Sequence, residues 1–173
     1  MKLLVLFLGI ANFSFSQKAH NGPTKVAWIT LEEAAEQLQK EKKPVLIDLY
    51  TDWCGWCKVM DKKTYNDKKV GDYLTSNFYP VKMNAEDRGA ITWMGKSYVF
   101  NPEYKTHNFA LFLTNGNLSY PTTVILPADG SEPQAIPGYL EPHDLELVVR
   151  YFAEGGYGKT PFEEYRKKFK YSW

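Results

Sequence analysis

The chain contains two cysteines, Cys54 and Cys57, separated by two residues. Cysteines at this spacing can close a small disulfide across the first turn of a helix with little backbone movement, which allows reversible oxidation. A helix N-terminus also favours a thiolate, because its backbone N–H groups are unpaired and the helix dipole is positive there. The pattern therefore indicates dithiol–disulfide exchange.

The alternatives for this cysteine pair are half of a zinc site and an inert structural disulfide. Tetrahedral zinc requires four ligands, but the chain has no other cysteine. The histidines, His20, His107 and His143, are scattered without the spacing of a zinc motif. We therefore expect no metal and no cofactor beyond a redox-active disulfide.

Residues 45–60, VLIDLYTDWCGWCKVM, contain the elements that position the cysteines. Val45–Tyr50 is apolar and β-branched, which is typical of a strand buried on both faces of a sheet. The residues after Cys57 are compatible with a helix. The order predicts a strand that leads into a helix N-terminus, with Cys54 exposed at the tip and Cys57 shielded one turn further in.

Asp48 interrupts this apolar strand. A carboxylate in the middle of a buried strand costs several kcal/mol unless it is paired or neutralised. The alternative is an aspartate at a strand end in contact with water.

The pattern V-L-I-D-x-x-x-D-W-C-G-W-C-K resembles the active-site segment of the thioredoxin family, whose buried aspartate precedes the first cysteine by the same six positions. The resemblance implies an α/β thioredoxin-like fold over about residues 28–155, with a central mixed β-sheet flanked by helices on both faces. It also implies thiol:disulfide oxidoreductase activity. Cys54 would be the nucleophile, Cys57 the resolving cysteine, and Asp48 the proton acceptor and donor for Cys57, with a pKa raised by desolvation.

The same resemblance assigns roles to residues outside this segment. Tyr120-Pro121-Thr122 precedes a predicted strand, as does the cis X-Pro element that lies against the disulfide in thioredoxins. A trans proline at a strand start is the alternative, since most X-Pro bonds are trans. Lys82 would lie close to the buried aspartate, or else on the solvent face of its strand.

Substrate contacts are expected from Trp53 and Trp56, which flank the sulfurs with apolar surface suited to unfolded or extended proteins. Tyr120 and Thr122 are expected to contribute to substrate binding beside Pro121.

Capping and periodicity predict the remaining elements. The first predicted helix is residues 31–40, with a Thr30–Glu33 capping box, and a second stretch to residue 77 is either capped by Asp67 or continuous with the active-site helix. A short helix is predicted to be capped by Thr106 and to end at Asn115-Gly116. Two further helices are predicted, one from Pro142 and one at residues 161–169 with a capping box at Thr160. The predicted strands are residues 78–84, 124–126 and 134–136.

Residues 90–105 form an insert relative to a minimal thioredoxin. Residues 91–94 and 97–100 predict a β-hairpin with a type II′ turn at Gly95-Lys96. Its aromatic side chains would form a partner-binding surface or pack on the domain. We expect the hairpin to be dispensable for folding and to influence partner choice.

Residues 1–16 resemble a secretory signal: Lys2 precedes an apolar run, and Ser14-Phe15-Ser16 predicts cleavage before Gln17. A membrane anchor is the alternative, but the run is short for a bilayer. We expect a linker at residues 17–27, a thioredoxin-like domain at 28–173, and an exported, periplasmic protein in a compartment where thiols are readily oxidised.

The 173 residues suffice for one well-packed domain, and 21 basic residues balance 20 acidic ones. This balance excludes the charge footprint of a nucleic-acid-binding protein. The leading hypothesis is a monomeric reductase of protein disulfides, fed by a membrane electron donor. Its alternatives are a disulfide oxidase or isomerase, and a non-catalytic binding module whose cysteines stay oxidised.

Overall fold

The computed structural model describes residues 25–173, so the predicted signal peptide and its cleavage site lie outside the described residues. In chain order the helices are α1 (Leu31–Leu38), α2 (Gly55–Lys63), α3 (Lys68–Asn77), α4 (Asn108–Leu113), α5 (Pro142–Ala153) and α6 (Phe162–Lys168). The strands are β1 (Val45–Tyr50), β2 (Tyr79–Asn84), β3 (Ile91–Trp93), β4 (Lys96–Tyr98), β5 (Phe100–Asn101), β6 (Thr106–His107), β7 (Thr122–Leu126) and β8 (Gln134–Pro137).

A four-stranded mixed sheet in the order β2-β1-β7-β8 forms the centre of the domain. Strand β1 runs parallel to β2 and antiparallel to β7, and β7 pairs antiparallel with β8. The predicted mixed sheet with helices on both faces is therefore confirmed, and β1 lies at its centre.

Each face of the sheet has its own apolar core, because successive side chains of a strand point to opposite faces. Val45, Ile47 and Leu49 pack with residues of α1, α4 and the β3–β4 hairpin. Leu46 packs on the other face with residues of α2, α3 and α5. By this alternation Asp48 lies on the face that α2 covers.

Two predicted helix starts are confirmed. Thr30 and Glu33 form the capping box of α1, and the Asp67 side chain accepts hydrogen bonds from the backbone N–H groups of Lys69 and Val70. Because Asp67 starts a new helix, α2 and α3 are separate, and the interpretation of one continuous kinked helix is wrong.

Two other predicted caps are wrong. Thr106 lies in β6 and donates its hydroxyl to the Ala85 carbonyl, whereas His107 caps α4 by accepting from the Phe109 N–H. At α6 the N-cap is Pro161, which has no side-chain capping bond, so Thr160 does not form the predicted capping box.

The predicted hairpin of the insert is present, but its turn is different. Trp93 pairs with Lys96, so the turn residues are Met94 and Gly95, with φ of 49° and 77°. Positive φ at both central positions is type I′ geometry rather than the predicted type II′, and this type matches the twist of paired strands.

The aromatic side chains of the hairpin pack on the domain. Trp93 and Tyr98 are buried in the core, with ring centroids 5.9 and 5.0 Å from that of Phe109 in α4. Of the two alternatives for these rings, packing on the domain is therefore confirmed, and this packing argues against the prediction that the hairpin is dispensable for folding. Among the helices of residues 25–173, none has the length and apolar character needed to cross a bilayer.

Candidate active site at the start of α2

Cys54 and Cys57 form a disulfide bond at the N-terminus of α2. Cys54 is the N-cap residue, and its sulfur accepts a hydrogen bond from the Cys57 backbone N–H at 3.0 Å. The Cys54 N–H donates to the Thr51 carbonyl at 3.1 Å, which makes a tight turn between β1 and α2. The strand–cysteine–helix order predicted from the sequence therefore places both sulfurs on the first turn.

The exposure of the two cysteines differs from the prediction. Each is only 4% exposed, so Cys54 is as covered as Cys57 in this oxidised form. Because the Cys54 sulfur is bonded to Cys57 and accepts its N–H, the side chain folds back over the first turn of the helix. The exposed groups of the motif are Trp53 and Trp56, at 66% and 62%.

Side chains outside the cysteine motif hold both tryptophans, and two of them, Glu86 and Tyr139, were missed by the sequence reasoning. The Trp53 indole N–H donates to Glu86 Oε1 at 2.9 Å, and its ring stands edge-on to Tyr120 at 5.8 Å. The Trp56 ring lies 5.5 Å from that of Tyr139. Strand β2 runs parallel to β1, so the two strands end at the same edge of the sheet. Because Glu86 follows the end of β2, its position in the sequence could have indicated that it lies near the cysteine motif.

The Tyr120–Pro121 peptide bond is cis, as the resemblance implies. Tyr120 contacts Trp53, so this element lies beside the cysteine motif. Thr122, which was expected to contact substrate, is buried at the start of β7 and donates its hydroxyl to the Ser119 carbonyl at 2.7 Å. The structure thus places Tyr120 on the rim of the site and the Thr122 side chain beneath it.

Asp48 is 1% exposed, which excludes the alternative of a solvated aspartate at a strand end. Burial raises its pKa from 3.8 to about 6, although the Lys82 ammonium works in the opposite direction. Lys82 faces Asp48 across the β1–β2 pair, and its Nζ lies 3.1 Å from Asp48 Oδ2. The carboxyl group can therefore exchange a proton near neutral pH.

Lys82 is shared by two carboxylates. Its ammonium also pairs with Asp61 of α2 and lies over the Tyr50 ring, 5.0 Å from the centroid. Burial works against its charge, but the hydrogen bonds to Asp61 and Asp48 outweigh this effect and raise the pKa of Lys82. The sequence reasoning missed Asp61, although its position four residues after Cys57 places it on the same face of α2.

Several buried hydroxyl groups near Asp48 lack hydrogen-bond partners. Within residues 25–173 the buried side-chain atoms without a partner are Asp48 Oδ1, Thr51 Oγ1, Tyr65 Oη and Thr123 Oγ1. Thr123 faces Asp48 across the β1–β7 pair, and Tyr65 packs in the core on this face of the sheet. Burial, with the nearby Asp48 charge, raises the pKa of Tyr65 well above its usual value, although the nearby Thr123 hydroxyl works in the opposite direction. The floor of the site is therefore polar but incompletely hydrogen-bonded.

Among residues 25–173, no three His, Cys, Asp or Glu side chains are arranged to hold a metal ion. The arrangement that the structure does show is a disulfide on a helix N-terminus, a buried carboxyl group with a raised pKa on the strand that leads into that helix, and exposed indole rings beside the disulfide. These groups can carry out thiol–disulfide exchange, in which one disulfide is broken as another forms.

Two curated proteins and one solved structure illustrate the relatives. Spermatogenesis-associated protein 20 of Rattus norvegicus is 31% identical over 83 residues, which are 48% of this chain and 10% of that protein. Thiol:disulfide interchange protein DsbD of Campylobacter jejuni strain RM1221 is 25% identical over 100 residues, which are 57% of this chain and 17% of that protein. This chain thus spans a small part of the curated relatives it matches. The structure named DsbH oxidoreductase superposes with a TM-score of 0.56 at 15% identity, covering 84% of this chain and 96% of that chain.

At 15% identity this superposition shows the fold alone. The family comparison goes further, because the family model described as "Thioredoxin-like domain" matches residues 31–153. This range is most of the chain, and it includes β1, both cysteines, the cis proline and α5. The chain belongs to the thioredoxin-like domain family.

Proposed function

We propose that this protein is a thiol:disulfide oxidoreductase that reduces protein disulfides in the cell envelope through Cys54 and Cys57. The observation that carries the proposal is the disulfide that closes the first turn of α2 directly after β1, the strand that holds the buried Asp48. The family membership of the chain supports it.

In the proposed reaction the reduced pair starts as Cys54 thiolate and Cys57 thiol. The Cys54 sulfur attacks one sulfur of a substrate disulfide, and the other substrate sulfur leaves as a thiolate that takes up a proton. Asp48 then accepts the Cys57 proton, and Cys57 attacks Cys54. The substrate leaves with both sulfurs reduced, and two electrons have moved from the protein to the substrate. A pKa of about 6 suits Asp48 to this transfer near neutral pH.

The charges around the site support a reducing direction. A strongly oxidising pair requires a stabilised reduced form, and hence a favoured thiolate. Here Asp52 lies two residues before Cys54, and Glu86 is bonded to the neighbouring Trp53. The cation nearest Asp48, Lys82, is shared by two carboxylates. Negative charge near the sulfurs opposes the stabilisation that the helix N-terminus provides.

The exposed Trp53 and Trp56 rings suit apolar segments of protein substrates. The predicted signal at residues 1–16 supports export to the periplasm, where a reductase needs a supply of electrons. We propose a membrane electron donor for that supply. The name of the Campylobacter relative, a thiol:disulfide interchange protein, fits the proposed exchange chemistry.

The second candidate is a non-catalytic binding module, and the 4% exposure of both sulfurs is the observation that favours it. Equilibration of the protein with dithiol and disulfide buffers distinguishes the candidates. A reductase should have a potential near the roughly −270 mV of thioredoxin and should reduce insulin. A value near −120 mV indicates an oxidase. A disulfide that resists reduction in the folded protein indicates the binding module.

A further inference from the structure

We propose that the insert, together with the loop that follows β2, forms a second substrate subsite beside Trp53, which binds an acidic side chain of the polypeptide next to the reactive cysteine of the substrate. The inference rests on the proposed function and specifies which protein substrates react fastest. The subsite is a cleft of about 520 Å³ whose lining includes Asp52, Asn84, Glu86, Arg88, Phe100 and Lys105.

The cleft adjoins the disulfide through the side chain of Trp53. Glu86 lines the cleft and accepts the Trp53 indole N–H at 2.9 Å, while Asp52 lines it two residues before Cys54. The other side of the Trp53 ring contacts Tyr120, next to the cis proline. A polypeptide whose cysteine reacts at Cys54 can therefore continue past Trp53 into this cleft.

Two carboxylates, Asp52 and Glu86, line the cleft beside Trp53, and two cations, Arg88 and Lys105, line it at β5 and the turn that follows β5. Neither Arg88 nor Lys105 forms an ion pair within the part of the chain that the structure describes, and both are exposed. The Arg88 guanidinium lies over the Phe100 ring, 4.5 Å from its centroid, which holds the group in place and leaves its N–H edge free. A guanidinium held in this way is suited to binding a carboxylate through two hydrogen bonds.

Lys105 adopts a φ of 51°. Left-handed backbone costs a residue with a side chain about 1 kcal/mol, so glycine would be the cheaper residue here.

The walls of the cleft are held by buried hydrogen bonds. The His107 N–H donates to the Ala85 carbonyl at 2.7 Å, and His107 Nε2 lies 2.9 Å from the Gly89 carbonyl, so one buried residue fixes both ends of the loop that carries Glu86 and Arg88. Phe100 pairs with His107 in the β5–β6 ladder. The subsite is thus preformed, and little ordering cost accompanies binding.

The test uses the reduced Cys57→Ser variant, in which the reaction stops at the mixed disulfide on Cys54. Its substrates are the disulfide-linked dimers of two short peptides, identical except that the residues flanking the cysteine are glutamates in one and glutamines in the other. Each reaction forms one Cys54–peptide disulfide and releases one peptide thiol, and the rate of release is measured at low and high salt.

We expect the glutamate peptide to react about fivefold to tenfold faster at low salt, with a smaller difference at high salt. Adding Arg88→Gln and Lys105→Gln should abolish this preference, and Lys105→Glu should reverse it. Lys96→Gln is the matched control, because Lys96 is on the same insert and outside the cleft. A preference that survives the paired glutamine substitutions, or no preference in the parent, overturns the subsite.

Hydroxyethyl disulfide, which is small and uncharged, separates the two proposals. Equal rates with this compound in all variants show that the substitutions leave Cys54 and the fold intact. Normal reaction with it, combined with no acidic preference, contradicts the subsite alone. Failure of the reduced parent to react with it overturns the proposed function, and the subsite with it.

Discussion

At the scale of single residues, the site depends on groups that are costly to bury. Asp48 is enclosed with one carboxylate oxygen paired to Lys82 and the other without a partner. An arrangement of this kind lowers stability, and the proton exchange with Cys57 that we propose would give it a function. The prediction for Asp48 therefore has opposite signs for stability and for turnover.

Asp48→Asn should be more stable than the parent at neutral pH and slower in insulin reduction. Because the folded pKa is raised from 3.8 to about 6, the parent loses stability as pH rises across this interval, by an amount on the order of 3 kcal/mol. The stability difference should be absent below about pH 4 and complete above about pH 6. Denaturant unfolding of the oxidised proteins across this range measures it. Lys82 keeps Asp61 as a partner, so a less stable, fully active variant would show that Asp48 is structural.

Tyr65→Phe tests the unpaired hydroxyl on the same face of the sheet. The Tyr65 hydroxyl lies near that of Thr123 but forms no hydrogen bond of ordinary geometry, so its removal should leave the free energy of unfolding unchanged or raise it by about 1 kcal/mol. The matched control is Tyr79→Phe, whose hydroxyl donates to the Glu41 carbonyl at 3.1 Å and should cost about 1 kcal/mol when removed. A larger loss for Tyr65→Phe than for the control would show that the Tyr65 hydroxyl is bonded in solution.

At the scale of elements, the insert that begins with the β3–β4 hairpin contributes both to the hydrophobic core and to the site. Its strands bury Trp93 and Tyr98 against α4, while the chain that follows the hairpin returns through β6 to the end of β2. The first half of the insert therefore packs in the core, and its second half lines the cleft. Replacing the whole hairpin would disturb both, so single substitutions are the sharper test.

Trp93→Ala should destabilise the protein by about 3–5 kcal/mol, because a large side chain that is 6% exposed leaves a cavity. Met94→Ala, one residue later in the turn, should change stability by less than about 0.5 kcal/mol, because Met94 is 64% exposed. Thermal unfolding of both variants provides the comparison. Similar small effects at the two positions would restore the idea of a separable hairpin.

At the scale of the whole molecule, α5 fastens the last described residues to the domain. Glu146 is fully buried, accepts the backbone N–H groups of Ser172 and Trp173 at 2.9 and 3.1 Å, and pairs with Arg150. Burial acts to raise the pKa of Glu146, but the bonds from Ser172, Trp173 and Arg150 outweigh it and hold the pKa below its usual value.

Glu146→Gln should lower the free energy of unfolding at neutral pH by about 1–3 kcal/mol, because the hydrogen bonds of the buried, charged carboxylate to the Ser172 and Trp173 backbone are weakened. Since the folded pKa is lowered, the parent's advantage is present above the unfolded pKa and disappears as pH falls through the folded pKa. Urea unfolding as a function of pH measures both effects. Glu164→Gln, at an exposed ion pair with Lys168, is the control and should change little. An advantage that persists in strong acid would contradict the role of the Glu146 charge.

Features that depend on neighbouring residues could be predicted from the amino-acid sequence. The strand at Val45–Tyr50, the caps at Thr30 and Asp67, and the cysteine pair at a helix start follow from periodicity and capping, which act over a few positions. The cis bond at Pro121 followed from the family resemblance.

Contacts between side chains that are distant in the sequence could be identified only from the folded structure. Asp61 reaches Lys82 because α2 crosses the face of the sheet where β2 pairs with β1, and Glu86 reaches Trp53 because parallel strands end at the same edge. The burial of Trp93 depends on how the insert packs on α4. These contacts join residues far apart in the chain, and the free energy that selects them comes from burial and charge pairing rather than from local backbone preference.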